Sequence, residues 1–227
     1  MVTSVKGIER QVEIPAGRQR LSGILKVPAD ATGVVAFAHG SGSGRFSPRN
    51  QFVSRILQEA GLATLLLDLL EEEEAKDREK IFDIDLLAER LQRAGDWLSR
   101  EPATRSLCLG YFGASTGAGA ALVAAAREPT AVGAIVSRGG RPDLAMDHLP
   151  AVEAPTLLIV GGHDDVVLEL NRRALRLLRC PKELVVVPGA THLFEEPGTL
   201  EEVARLAKEW FLRYLTAAGV PPEHSRK

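Results

Sequence analysis

The sequence predicts an α/β fold: a mostly parallel sheet of about eight strands, flanked by helices on both faces and entered through an antiparallel start. Two patterns carry this expectation. Short apolar runs closed by Gly, Asp or Pro alternate with longer amphipathic segments along the 227 residues. The beginning of the chain instead alternates apolar and polar residues on either side of a glycine-containing turn.

In chain order, QVEIPA and RLSGILKVP form that opening hairpin. The runs Val34–Gly40, Ala63–Leu69, Ser106–Phe112, Val132–Arg138, Pro155–Gly162 and Glu183–Gly189 read as strands buried on both faces, short and continuously apolar. Between them, helical spacing places Phe52, Ile56, Leu57 and Ala60 on one face. It does the same for Leu86, Leu87, Leu91, Ala94 and Leu98, and for Val203, Leu206, Ala207, Trp210 and Phe211. Glu71–Glu74 and the mixed charges through Lys80 are expected on a solvated helix start or surface loop. Residues 1–227 read as one domain, with a polar, Pro-rich tail that frays from about residue 218.

Composition bounds the function. A net charge of −2, with 45% hydrophobic and 26% charged residues, gives no global attraction to nucleic acid or to an anionic membrane. No stretch reaches the roughly eighteen apolar residues of a membrane span, and the start of the chain lacks the pattern of a signal peptide. Cys108 and Cys180 give neither a disulfide framework nor a zinc spacing, and Cys108, inside SLCLGYF, reads as a buried thiol. A cytoplasmic protein, monomer or homodimer, is the expectation.

The chemistry is carried by Gly113-Ala114-Ser115-Thr116-Gly117, which follows a strand and opens a helix. A strand that turns sharply into a helix lifts the central serine above the sheet, and the helix N-terminus favours negative charge beside it. Its glycine spacing is not the G-x-G-x-x-G of dinucleotide binding. A serine nucleophile needs a base and the base an orienting acid. His192 follows a strand ending in a Pro-Gly turn. Asp164 sits equivalently in Gly161-Gly162-His163-Asp164-Asp165, with Asp165 as its near competitor. A metal site built from His163, Asp164 and Asp165 would lack a further ligand at suitable spacing.

The oxyanion donors expected are the N–H of Thr116 and that of Ser41, with Gly42 second, in the loop His39-Gly40-Ser41-Gly42-Ser43-Gly44. A phosphate cradle is the alternative use of that loop, but no P-loop lysine follows it. His39 reads as structural. Arg45 and Arg141 are candidate contacts for an acidic substrate group, or else solvated side chains. The connection from Arg138 to Ala154 is too short for a cap domain but long enough for one short helix, which implies an open, shallow site.

Together HGSGSG, GASTG, GGHDD and PGATH resemble the α/β-hydrolase superfamily, in particular its dienelactone-hydrolase-like branch, from roughly Val12 to Leu215. The resemblance implies an α/β-hydrolase fold. It places Ser115 as nucleophile, Asp164 as acid and His192 as base, with Ser41 and Thr116 at the oxyanion positions. Dienelactone hydrolases carry cysteine where Ser115 stands, so the serine points to general ester chemistry. The expected activity is hydrolysis of small carboxylic esters or lactones through an acyl-enzyme, with no cofactor or metal. Acyl transfer, thioester or amide cleavage would use the same triad, and a non-catalytic protein on a hydrolase scaffold is the reading from another class.

Overall fold

The computed structural model describes residues 7–216, and the tail expected to fray from about residue 218 lies outside them. Strands β1 (Ile8–Ala16) and β2 (Gln19–Val27) form the opening hairpin. They turn at Gly17, whose φ of 67° suits a tight hairpin turn. Strands β3 (Gly33–Ala38), β4 (Leu62–Leu67), β5 (Cys108–Ala114), β6 (Ala134–Arg138), β7 (Thr156–Gly161) and β8 (Lys182–Val187) follow. They complete an eight-stranded sheet of order β1-β2-β4-β3-β5-β6-β7-β8. Only β2 runs against its neighbours, and β3 to β8 are mutually parallel. This is the α/β-hydrolase fold.

The strands are buried on both sides because successive side chains point to opposite faces. In β3, Val34, Ala36 and Ala38 join one core, which also holds residues of α3 (Ile84–Leu98) and α4 (Thr116–Arg127). Val35 and Phe37 join the other, packed by α1 (Pro48–Glu59) and α6 (Thr199–Leu215). Helix α5 (Asp165–Leu177) packs beside β7 and β8. Its apolar Val167 and Leu168 close over Val160. The short α2 (Arg78–Phe82) sits in the excursion between β4 and α3.

The chain leaves β3 toward β4 on one side and reaches β5 on the other, so the order reverses at β3 and β5. Crevices at such reversals, beyond the carboxyl ends of the strands, are where open α/β sheets place their sites. Here that crevice receives the loops after β3 and β5. The connection from β6 to β7 holds two 3-10 turns, Pro142–Ala145 and Leu149–Ala151, where one short helix was expected. No cap domain stands there.

Two expectations fail. Cys108 is exposed, because β5 begins at that residue and not at Ser106; Cys180 is the buried thiol. Glu74 is also buried, unlike Glu71, Glu72 and Glu73 beside it. It forms a two-pronged ion pair with the buried Arg90 of α3, at 2.5 and 2.9 Å. Arg90 also donates to Leu69 O at 2.8 Å. Among the described residues no helix is long and apolar enough to cross a membrane.

Candidate active site

Ser115 is held in a conformation that side chains avoid, φ 50° and ψ −121°. The glycines around it explain how. A Cβ on Gly113 would stand 2.4 Å from Ala118 Cα, and one on Gly117 would stand 2.2 Å from Ala38 O. Neither position has room for a side chain, so β5, the first turn of α4 and the end of β3 close onto one another at the serine. Ser115 N–H donates to Arg138 O at 3.3 Å, and Ser115 O accepts from Arg141 N–H at 3.0 Å. The elbow is thereby bound on both sides to the end of β6.

The same strand end meets His192. A Cβ on Gly139 would lie 3.5 Å from both Cε1 and Nδ1 of the His192 ring. The imidazole therefore stands against the residue that follows Arg138, one backbone hydrogen bond from Ser115. His192 Nδ1 lies 2.6 Å from Asp164 Oδ2. As an ionised carboxylate only accepts, Nδ1–H donates and Nε2 is left as the basic nitrogen. Asp164 precedes α5 as its N-cap, whereas Asp165 lies in the first turn and is exposed, so the structure brings Asp164 and not Asp165 to the ring.

The loop carrying His192 is braced by residues that sequence reasoning missed. Glu196 accepts from Thr191 N–H at 3.1 Å and from Thr191 Oγ1–H at 2.6 Å. These bonds hold its carboxyl below the usual range. Phe194, at φ 56° and fully buried, anchors the turn between them. Gly161 lets the loop come close: a Cβ there would lie 2.5 Å from Ala190 O. A carboxylate four residues after a histidine is too common a pattern to have signalled this brace.

The two expected oxyanion residues are brought together, with Ser41 N–H donating to Thr116 Oγ1 at 3.2 Å. Thr116 is the first residue of α4, so its own N–H has no partner within the helix. His39 is structural. Its Nε2 accepts from Leu69 N–H at 2.9 Å, which puts the proton on Nδ1, 2.9 Å from Gly40 O. Burial holds its pKa below the usual value, so the ring is a neutral tie between the loop after β3 and the end of β4.

The two candidate arginines are each engaged by a carboxylate. Arg45 pairs with Asp68, and Arg141 makes two bonds to Asp143 at 2.8 and 2.7 Å. Arg138, at the end of β6, is only 8% exposed and lacks a carboxylate partner, and its Nε and Nη1 have no partner among the described residues. Burial, with the charge of Arg49 nearby, lowers its pKa to about 10, so it is charged at neutral pH. His163 is exposed, with its backbone N–H donating to Ala190 O at 2.9 Å, and His148 is half-buried.

Residues 21–217 match the model of the dienelactone hydrolase family. The chain belongs to that family. A crystal structure of dienelactone hydrolase from Anabaena variabilis superposes with a TM-score of 0.90 at 57% identity, over 93% of this chain and all of that one. Est1E from Butyrivibrio proteoclasticus shares the fold alone, with a TM-score of 0.77 and 17% identity over 89% of this chain and 97% of its own. A Mycobacterium tuberculosis (strain H37Rv) protein named "Putative phosphoribosyl transferase" is 58% identical over 93% of the chain. The chain spans 48% of that relative's length.

Proposed function

We propose that this protein is a serine hydrolase of small carboxylic esters or lactones, working through an acyl-enzyme. The observation that carries this reading is the backbone of Ser115, a non-glycine residue held at positive φ on a strand-to-helix turn. Such strain costs about 1–3 kcal/mol and persists where function uses it. His192 Nε2 removes the Ser115 proton during attack and returns it to the leaving alcohol. Asp164, through the Nδ1 bond, keeps that tautomer and stabilises the imidazolium.

The N–H groups of Ser41 and Thr116 receive the developing oxyanion. A substrate oxygen arriving there exchanges the long Ser41-to-Thr116 bond for a stronger, charge-assisted one. A water molecule then repeats the sequence on the acyl-enzyme. Phosphoribosyl transfer belongs to the name of a protein about twice as long. The stretch of this chain that matches it carries the elbow and the His–Asp pair, which are suited to attack on a carbonyl.

The test is labelling with a fluorophosphonate, together with turnover of p-nitrophenyl acetate, in wild type and Ser115→Ala. Labelling and turnover that both vanish in the variant support the reading. A wild type that takes up no label sinks it.

A further inference from the structure

Two recesses meet at the loop after β3. One, of about 830 Å³, lies toward the β1–β2 hairpin, with the charged Glu13, Arg20, Arg45, Asp68 and Glu71 among its walls. The other, of about 250 Å³, is walled by Leu70, Ala75, Ile81 and Leu87 and floored by Ser41 and Thr116. His39, Ser41, Gly42, Ser43, Leu70 and Ala75 border both. The apolar recess thus opens beside the two residues assigned to the oxyanion, although no cap domain follows β6.

Its outer wall is the excursion from Asp68 to Asp83, which by composition belongs in solvent. The Glu74–Arg90 pair pins it down. Glu74 accepts both guanidinium prongs, Glu71 N–H at 3.1 Å and Lys80 at 3.1 Å, so a single carboxylate joins α3, the 3-10 turn at Glu74–Lys76 and α2. Ile81 in α2 and Ala75 in that turn are positioned by this joint. A wall fixed by a buried ion pair sets a size limit, whereas a mobile loop would not.

Resting on the serine-hydrolase reading, we propose that the recess is the acyl subsite and selects a compact apolar acyl group about the size of a single aromatic ring. A cavity of about 150 Å³ lined by Leu, Ile and Phe holds benzene, so the recess has room for a ring with a short linker, and the pinned wall is what shuts out a longer group. The acyl group stays through both half-reactions beside the oxyanion donors. The alcohol leaves toward solvent and the larger recess with its charged walls. Ile81 and Ala75 are the specificity-determining residues.

Boronic acids, which form a reversible tetrahedral adduct with a serine nucleophile and carry the acyl side chain on boron, test this by calorimetric titration. The probes are methyl-, phenyl- and 2-naphthylboronic acid. In wild type, phenyl is expected to bind about tenfold or more tightly than methyl, with naphthyl weaker than phenyl. Ile81→Ala should raise naphthyl affinity relative to phenyl, and Ala75→Leu should weaken phenyl while leaving methyl unchanged. Ser115→Ala should abolish all binding.

Binding that needs Ser115 but keeps one size ranking in wild type and both variants overturns the acyl-subsite proposal alone. Binding unchanged in Ser115→Ala, or no binding of any boronate by wild type, overturns the hydrolase reading and the proposal with it. Phenyl affinity that drops in Ala75→Leu and naphthyl affinity that rises in Ile81→Ala, both without a change for methyl, uphold both.

Discussion

The two sides of the candidate site are built by different means. Ser115, Asp164 and His192 stand at the ends of β5, β7 and β8, each presented by a short turn whose shape is set by local backbone demands. The wall from Asp68 to Asp83 depends on a side-chain pair sixteen residues apart, Glu74 and Arg90. The first kind of construction is rigid by covalent geometry and strand register. The second is rigid only while both charges are present, so the two sides should respond to substitution in different currencies: rate on one, stability and selectivity on the other.

The largest effect is expected where chemistry is lost and the fold is kept. Ser115→Ala should lower kcat by about 10⁴-fold or more, and Asp164→Asn by about 10³–10⁴-fold through the wrong tautomer of His192. Melting temperature should stay near that of wild type in both. Steady-state kinetics beside calorimetry check this, and a strongly unfolded Ser115→Ala would place the elbow among the stability elements instead.

On the other side, Arg90→Met takes from the buried Glu74 its main partner and leaves only the part-exposed Lys80, a loss of up to about 3–5 kcal/mol. The pair holds the Glu74 pKa near 2, below its ordinary 4.5. A carboxylate with a depressed native pKa contributes stability above its unfolded value and loses it as pH falls through the native one. The deficit of Arg90→Met should therefore be full at neutral pH and shrink as pH drops below 4.5 toward 2. His39 adds an earlier loss common to both proteins. Its ring is held neutral, so the unfolded chain takes up a proton first and stability begins to fall below pH 6.5. Urea unfolding at several pH values separates the two. A deficit independent of pH would mean that packing, and not charge, holds the excursion.

This division also explains what could be read in advance. The strands, the elbow and the order Ser115, Asp164, His192 are written in glycines and apolar runs whose meaning is local, and they were legible. The choice of Asp164 over Asp165 was legible only by position, since the hydrogen bond to His192 spans 28 residues. Glu74 was not legible, because nothing in a run of four glutamates marks the one whose partner lies a helix away. Cys108 misled for the opposite reason: an apolar neighbourhood in sequence placed it at a strand's exposed first residue.

Smaller than the Arg90 effect, Gly117→Ala should cost about 3 kcal/mol, toward the top of the usual overpacking range, because its Cβ would meet the Ala38 carbonyl oxygen at 2.2 Å. Gly42→Ala, where nothing lies within 4 Å but φ is 69°, should cost only about 1 kcal/mol. Thermal unfolding of the two single variants is the measurement. Similar losses would show that the closure of β3 on α4 yields more readily than its geometry suggests.

The smallest effects are expected at the arginines that sequence alone points to. Arg45 is compensated by Asp68 and Arg141 by Asp143, so each pair presents little net charge to a substrate. Removing either guanidinium also frees a carboxylate, which repels an anion. Arg45→Ala and Arg141→Ala should therefore change the ratio of anionic to neutral ester turnover by less than about fivefold, a part-exposed ion pair being worth under about 1 kcal/mol. Arg138 is the contrast within the same comparison. It is charged, buried and without a carboxylate, so Arg138→Met relieves a desolvation cost and should leave stability equal or higher. Kinetics on a matched pair such as p-nitrophenyl acetate and its succinate half-ester analogue, with unfolding of Arg138→Met alongside, decides it. A tenfold loss confined to the anionic ester in Arg45→Ala would return that side chain to the binding site, and a destabilised Arg138→Met would mean that solvent already satisfies the buried charge.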